Sequence, residues 1–171
     1  MDISIQEYEE SRRYFQNINR LDYREPPTTA NYRRLTKNYP FTLNNVHFTI
    51  LRGFWWDGAS IPRAAWTLVG HPWSRDIAPG ALIHDLLYVC KLFTREHTDD
   101  ILYEVNKYNN MGWAKNKLVY GSVRAFGGSH WNQQTETQIA GGRKHLLING
   151  LPAQEVLRYD HAYKLDELLF V

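Results

Sequence analysis

A chain of 171 residues, 43% hydrophobic and 22% charged, has the make-up of an ordinary globular protein and is long enough to bury a substantial core. An aromatic fraction of 14% and a formal net charge of +2 exclude a disordered chain, and so small a charge gives no electrostatic case for nucleic acid. The one cysteine, Cys90, excludes an intrachain disulfide, and no apolar run approaches the roughly 20 residues needed to span a bilayer.

The first residues, MDISIQEYEESRRYF, have neither the basic n-region nor the apolar core of a secretory signal, so the cytosol is the expected location. Across residues 2–20, Ile3, Ile5, Tyr8, Tyr14 and Phe15 mix with charges in the pattern of a short amphipathic helix, which Pro26 and Pro27 stop. From Tyr32 to Trp56 the pattern turns to β. The runs RRLTKNYPFTL and VHFTILRGFWW flank Asn44-Asn45, and asparagine tolerates positive φ, which predicts a hairpin. Pro40 lacks an N–H and confines part of the first strand to an edge. The segment DGASIPR follows. Ser60 is expected to cap a turn beginning at Ile61-Pro62, while Asp57 offers a hydrogen bond to Arg63 or an oxygen to a metal. AAWTLVGHPWSRDIAPG is broken by Gly70, Pro72, Pro79 and Gly80 and reads as irregular structure around one helical turn.

Three helices are predicted next. The first, ALIHDLLYVCKLF, begins at Ala81. The second, REHTDDILYEVNKY, is capped by Thr94, carries Glu96 in its first turn and is closed by Asn109, Asn110 and Gly112. The third, WAKNKLVYGSVRAF, sets Leu118, Val119, Ser122, Val123 and Phe126 at helical spacing and is expected to end at Gly127-Gly128. A break at Gly141-Gly142, a strand around KHLLI and a short apolar helix ending in LLFV complete the chain. The sum is an α+β fold: a small antiparallel hairpin or sheet beside a core of three or more helices. A single domain over residues 1–171 is expected, its motif-bearing core at about 32–131, with the N-terminal helix and the C-terminal extension packed on it.

The chemistry concentrates on the first two helices. His84, Asp85 and Tyr88 interrupt an otherwise apolar helix of Ala81, Leu82, Ile83, Leu86 and Leu87, so the polar groups are expected to be partly buried and to need partners. The short loop after Phe93 makes the two helices antiparallel, bringing Asp99 and Tyr103 level with His84. An imidazole oriented by a facing carboxylate is the arrangement of a general base, and the adjacent Asp85 could hold a cation or polarise a substrate. A buried network that only ties the helices together gives the same signature. Cys90, in the apolar stretch LLYVC, reads as a packing residue. His71, His97 and His130 do not match zinc-ligand spacing.

Taken together, GFWWDGASIPRAAW, ALIHDLLY, Thr98-Asp99 with ILYEV, and VRAFGGSHW resemble, in that order, an uncharacterised family of small proteins of tailed bacteriophages and prophages. The likeness covers Leu35 to Trp131 and departs from the family pattern at Thr98, usually alanine, and Leu102, usually aromatic. It implies a phage origin and no activity. The helix pair is more loosely similar to that of calcium-dependent phospholipases, which carry His-Asp-x-x-Tyr on one helix and an Asp on its antiparallel partner. That likeness implies His84 as the base, Asp85 as a metal ligand, and Tyr88 and Asp99 as the groups that orient the imidazole. The glycine-rich calcium loop and the disulfides of those enzymes are absent, so DGASIPR, with Asp57 as an oxygen donor, would stand in the loop's place.

Two functions follow as expectations. One is a virion-associated (tail or capsid) or host-interaction protein, working with other phage proteins or a host protein in the host cytoplasm or the particle. The other is a hydrolase, directed at a lipid or ester, in which the His-Asp dyad of His84 and Asp99 activates water, with calcium or another divalent cation at Asp85 and Asp57. A His-Asp phosphohydrolase would need a further histidine before the dyad, and His71, in a proline-broken loop, is the only one nearby.

Overall fold

The computed structural model describes residues 32–58, 70, 71 and 73–157, together with Phe15, Gln16, Ile18, Leu21, Tyr23 and Arg24. Among these the fold is α+β. Strands β1 (Phe15–Gln16), β4 (Tyr39–Leu43), β5 (Val46–Ile50), β7 (Leu146–Ile148) and β8 (Leu151–Pro152) form an antiparallel sheet in the order β1-β4-β5-β7-β8. Strands β2 (Tyr23–Arg24), β3 (Arg33–Leu35) and β6 (Trp55–Trp56) form a smaller one in the order β2-β3-β6. The helices are α1 (Ala78–Cys90), α2 (Arg95–Tyr108), α3 (Trp113–Gln133), α4 (Glu136–Arg143) and α5 (Ala153–Val156).

The β4–β5 hairpin forms where asparagine pairs best with a tight turn. Asn44 and Asn45 take φ of 46° and 66°, the left-handed pair of a type I′ turn, and Leu43 faces Val46 across it. Phe41 and Phe48 lie opposite one another with ring centroids 5.1 Å apart, and both are buried. Pro40 pairs with Thr49 on one side only, since β1 reaches no further than Leu43 and Thr42. The run read as one first strand is divided: Arg33–Leu35 joins the smaller sheet, and Thr36, Lys37 and Asn38 carry the chain across to β4.

Helix α1 is the centre of the molecule, with eleven of its thirteen residues buried. It starts three residues before the expected Ala81, because Pro79 falls in the first turn, where a missing N–H leaves no bond unmade. Lys91 closes it in the left-handed conformation. Thr94 caps α2 as expected, accepting from the backbone N–H of His97.

Two expected breaks are not breaks. Helix α3 runs through Gly127-Gly128 to Gln133, and α4 runs through Gly141-Gly142. A glycine costs a helix about 1 kcal/mol against alanine, and close packing outweighs that here. A Cβ on Gly127 would stand 2.8 Å from the Tyr88 hydroxyl, and one on Gly142 would stand 2.5 Å from Cγ1 of Val89. The glycines let α3 and α4 close onto α1.

The expected N-terminal helix is corrected in part: Phe15–Gln16 pair with β4, whose open edge offers the backbone partners. Apart from Ile18, the rest of that segment lies outside the described residues, as do the Ser60 cap, the Asp57–Arg63 contact and the helix ending in LLFV. One apolar cluster joins both sheets to α1 and α2, through side chains such as Phe48, Trp56, Leu82 and Ile101. No helix among the described residues is long and apolar enough to cross a membrane.

Candidate active site

Gly80 lies against Leu102 and Asn106 while His84 meets Asp99, so α1 and α2 run antiparallel, as the short Lys91–Thr94 connection demands. That register sets the first contact of the site. Nε2 of His84 donates to Oδ1 of Asp99 across 2.8 Å, and Asp99 has no exposed surface. The other Asp99 oxygen accepts from Nη1 of Arg124 at 3.2 Å, which reaches over from α3. Both carboxylate oxygens are thereby bonded, as a fully enclosed charge requires. Tyr103, expected level with His84, instead turns its ring to Tyr120 of α3, centroid to centroid 5.6 Å.

The second nitrogen of His84, Nδ1, points the other way, towards Asp85, whose Oδ1 lies 3.6 Å off. His84, Asp85 and Asp57 together line a cavity of about 260 Å³ whose walls include Tyr32, Trp55, Trp56 and His130. Asp57 enters it from the end of β6, because pairing of Trp55–Trp56 with Arg33 and Arg34 carries the strand to the cavity rim. Two enclosed polar atoms on lining residues have no hydrogen-bond partner among the described residues: Oδ2 of Asp85 and Nε1 of Trp56.

The charges on the two sides of the imidazole set its basicity. Burial alone favours neutral His84, but hydrogen bonding and charge from Asp85 and Asp99 outweigh it and hold the pKa above the ordinary 6.5. Burial pushes the Asp85 carboxyl up to about 7; neighbouring His84 opposes the shift and the charge of Asp57 reinforces it. Near neutral pH the cavity therefore holds a carboxyl group poised between its two protonation states.

Tyr88 is placed beside the imidazole, with ring centroids 5.0 Å apart, and Trp131 packs edge-on against it at 4.7 Å. Its hydroxyl donates to the backbone carbonyl of Gly127. Tyr88 thus braces His84 by ring packing, and Asp99 takes its second hydrogen bond from Arg124. Of the predicted site residues, His84, Asp85, Tyr88 and Asp57 line one cavity, and Asp99 lies behind it.

Sequence reasoning passed over Tyr32, Trp55, Trp56 and His130 as lining residues, and only the aromatic surplus hinted at the walls. His71 is exposed in its loop and His97 half-buried at the start of α2. Cys90 is fully buried, and burial pushes its thiol up to about 12, which makes it a packing residue.

A metal at Asp85 and Asp57 finds two carboxylates on the cavity floor. Among the described residues no group of three or more His, Cys, Asp or Glu could hold an ion. Calcium takes six to eight oxygens, so these side chains alone fall short of a resident cation's needs.

A family model described as "Protein of unknown function (DUF1353)" matches residues 33–123. That segment contains β3 to β6, α1, α2 and the part of α3 up to Val123, hence all of His84, Asp85, Tyr88, Asp99 and Asp57. The uncharacterised protein y4iH of Sinorhizobium fredii (strain NBRC 101917 / NGR234) is 29% identical over 128 residues, covering 74% of this chain and 54% of the relative. The uncharacterised protein y4jT of the same organism is 30% identical over 94 residues, covering 54% of this chain and 27% of the relative. The chain thus spans about half of the one relative and about a quarter of the other. No solved structure matches it.

Proposed function

The chain belongs to the DUF1353 family, and from that premise we propose that it is a hydrolase of an ester-type bond in which His84 activates water. One observation carries the reading: a single imidazole joins a sealed, doubly bonded carboxylate to a cavity open to small molecules. With Nε2–H committed to Asp99, the tautomer is fixed and Nδ1, on the cavity side, is the nitrogen left to take a proton. Water in the cavity gives a proton to Nδ1 as its oxygen adds to the carbonyl carbon. The tetrahedral intermediate then collapses, and the departing alkoxide takes the proton back from Nδ1. Asp99 stabilises the imidazolium between these steps, and Arg124 holds the Asp99 carboxylate in place. The step as written uses only water and this chain's own side chains. The phospholipase likeness adds a lipid ester to the candidate substrates.

The test is hydrolysis of p-nitrophenyl acetate, p-nitrophenyl butyrate and a fluorogenic phospholipid by the wild type, His84→Ala and Asp99→Asn. Loss of about 10²–10⁴ in kcat/KM for either variant with an unchanged circular dichroism spectrum is expected. Equal rates in the wild type and a folded His84→Ala protein, or no hydrolysis by the wild type, overturn the reading.

A non-enzymatic role as a virion-associated or host-interaction protein is the second reading. It draws on the phage likeness and on large exposed side chains, Trp113 and Phe126 of α3, which are 68% and 60% exposed. Its measurement is the copy number of the chain in purified particles, and absence from them counts against the virion form.

A further inference from the structure

The cavity's lining has a bias the hydrolase reading does not use. Two carboxylates, Asp57 and Asp85, stand on the floor, aromatic rings of Tyr32, Trp55 and Trp56 stand in the walls, and no lysine or arginine lines it among the described residues. A neutral or anionic ligand gains nothing from such a floor. A ligand with a positive charge on an aliphatic stem gains on three counts: its charge offsets the carboxylates, one of its N–H donors reaches Oδ2 of Asp85, and its carbon chain lies on ring faces.

Oδ2 of Asp85 makes this specific. It is enclosed, it has no hydrogen-bond partner among the described residues, and it belongs to a residue whose side chain is only 18% exposed. A buried acceptor left open costs free energy comparable to a lost hydrogen bond, unless a ligand fills the position. A metal is the other candidate for that position, but among the described residues no group of three or more His, Cys, Asp or Glu is present to hold one. The rim fits the stem of an organic ligand: Tyr32 and Trp55 are 46% and 45% exposed beside the mouth, and Arg34 already lies 5.6 Å from the Trp55 ring centroid, showing that this ring accepts a cation.

We propose that the cavity binds an alkylammonium group, with its N–H donors on Asp85 and Asp57 and its methylenes against Trp55 and Tyr32. This rests on the hydrolase reading for its consequence: the substrates would be esters bearing a primary amine a few carbons from the carbonyl, held so that the scissile carbon faces Nδ1 of His84. Binding of the group itself does not depend on His84 acting as a base.

The experiment therefore reads binding and turnover separately. n-Butylammonium chloride, n-butanol and sodium butyrate are titrated at constant ionic strength, with binding followed by tryptophan fluorescence and calorimetry. The wild type is expected to bind butylammonium saturably and the other two not at all. Asp57→Asn and Asp85→Asn are each expected to weaken that binding about tenfold, with folding checked by circular dichroism. His84→Ala is expected to lose hydrolysis. Amine binding equal to that of butanol, or unaffected in both Asn variants, overturns the proposal even if ester hydrolysis is found. Stoichiometric calcium binding that displaces the amine overturns it as well. Amine binding without hydrolysis in the wild type supports this proposal and removes the hydrolase reading instead.

Discussion

At its Nε2 end His84 meets Asp99, which is fully enclosed and held a second time by Arg124. At its Nδ1 end it faces Asp85, which has one enclosed oxygen with no partner among the described residues and a pKa pushed to about 7. The same residue type, on two sides of one ring, is satisfied in the interior and left unsatisfied at the cavity. A network that served only to fasten α1 to α2 would have no reason to leave the second carboxylate open, since every such group subtracts from stability. The contrast teaches that the interior half is the scaffold and the cavity half is where a ligand belongs.

Removing the interior half should have the largest effect. Asp99→Ala strands the buried Nε2 donor of His84 and takes one of Arg124's two acidic partners, and the unfolding free energy is expected to fall by about 3–5 kcal/mol in urea denaturation. A loss below about 1 kcal/mol would mean the two ends are energetically alike, and the contrast drawn here would fail.

A pH series sharpens it at the cavity half. The folded Asp85 carboxyl titrates near 7 against 3.8 for the ordinary group, so the folded state holds this proton more tightly than the unfolded chain does. The stabilisation is complete below 3.8 and is lost as pH rises through 7. His84, also raised, acts in the same sense: its contribution is present below 6.5 and is lost as pH rises through the folded value. Melting temperature should therefore decline from pH 5 to pH 8 in the wild type and decline less in Asp85→Asn, which cannot ionise. The gap between the two proteins should change by about 3 kcal/mol from pH 5 to pH 8, the two pH units over which only the folded state holds the proton. Parallel curves would show that Asp85 titrates like a surface carboxyl.

The smallest effect tests the brace between the two halves. Gly127→Ala places a methyl 2.8 Å from the Tyr88 hydroxyl and must move the ring that packs on His84. A loss of about 1–3 kcal/mol is expected in the same denaturation assay. Gly121→Ala, on the same helix with open space around it, serves as the control and should be neutral or slightly stabilising.

Much of this was written locally in the chain. Asn44-Asn45 announced the hairpin, Thr94 announced the start of α2, and the spacing of His84 to Asp99 across a short loop announced their contact. Each is settled by neighbours in sequence, where turn chemistry and helical period act directly. What was misjudged depends on neighbours far along the chain. Gly127 and Gly142 look like stops until Tyr88 and Val89 are known to occupy the space a side chain would take, and Pro79 looks like a break until it is seen in a first turn. The cavity walls escaped for the same reason. Trp55 and Trp56 reach His84 only because β6 pairs with β3, and no local pattern records that pairing.

The larger sheet carries a consequence for how the molecule comes into being. Phe48 lies opposite Ile148, so the strand that covers the outer edge of β5 leaves the ribosome about a hundred residues, and on the order of ten seconds, after β5 itself. Until then the hairpin presents a bare row of backbone donors and acceptors beside buried-type side chains, the kind of edge that recruits another copy. A nascent chain halted soon after α3 would already have the histidine and both its aspartates, yet it would still lack the strand that pairs with this edge.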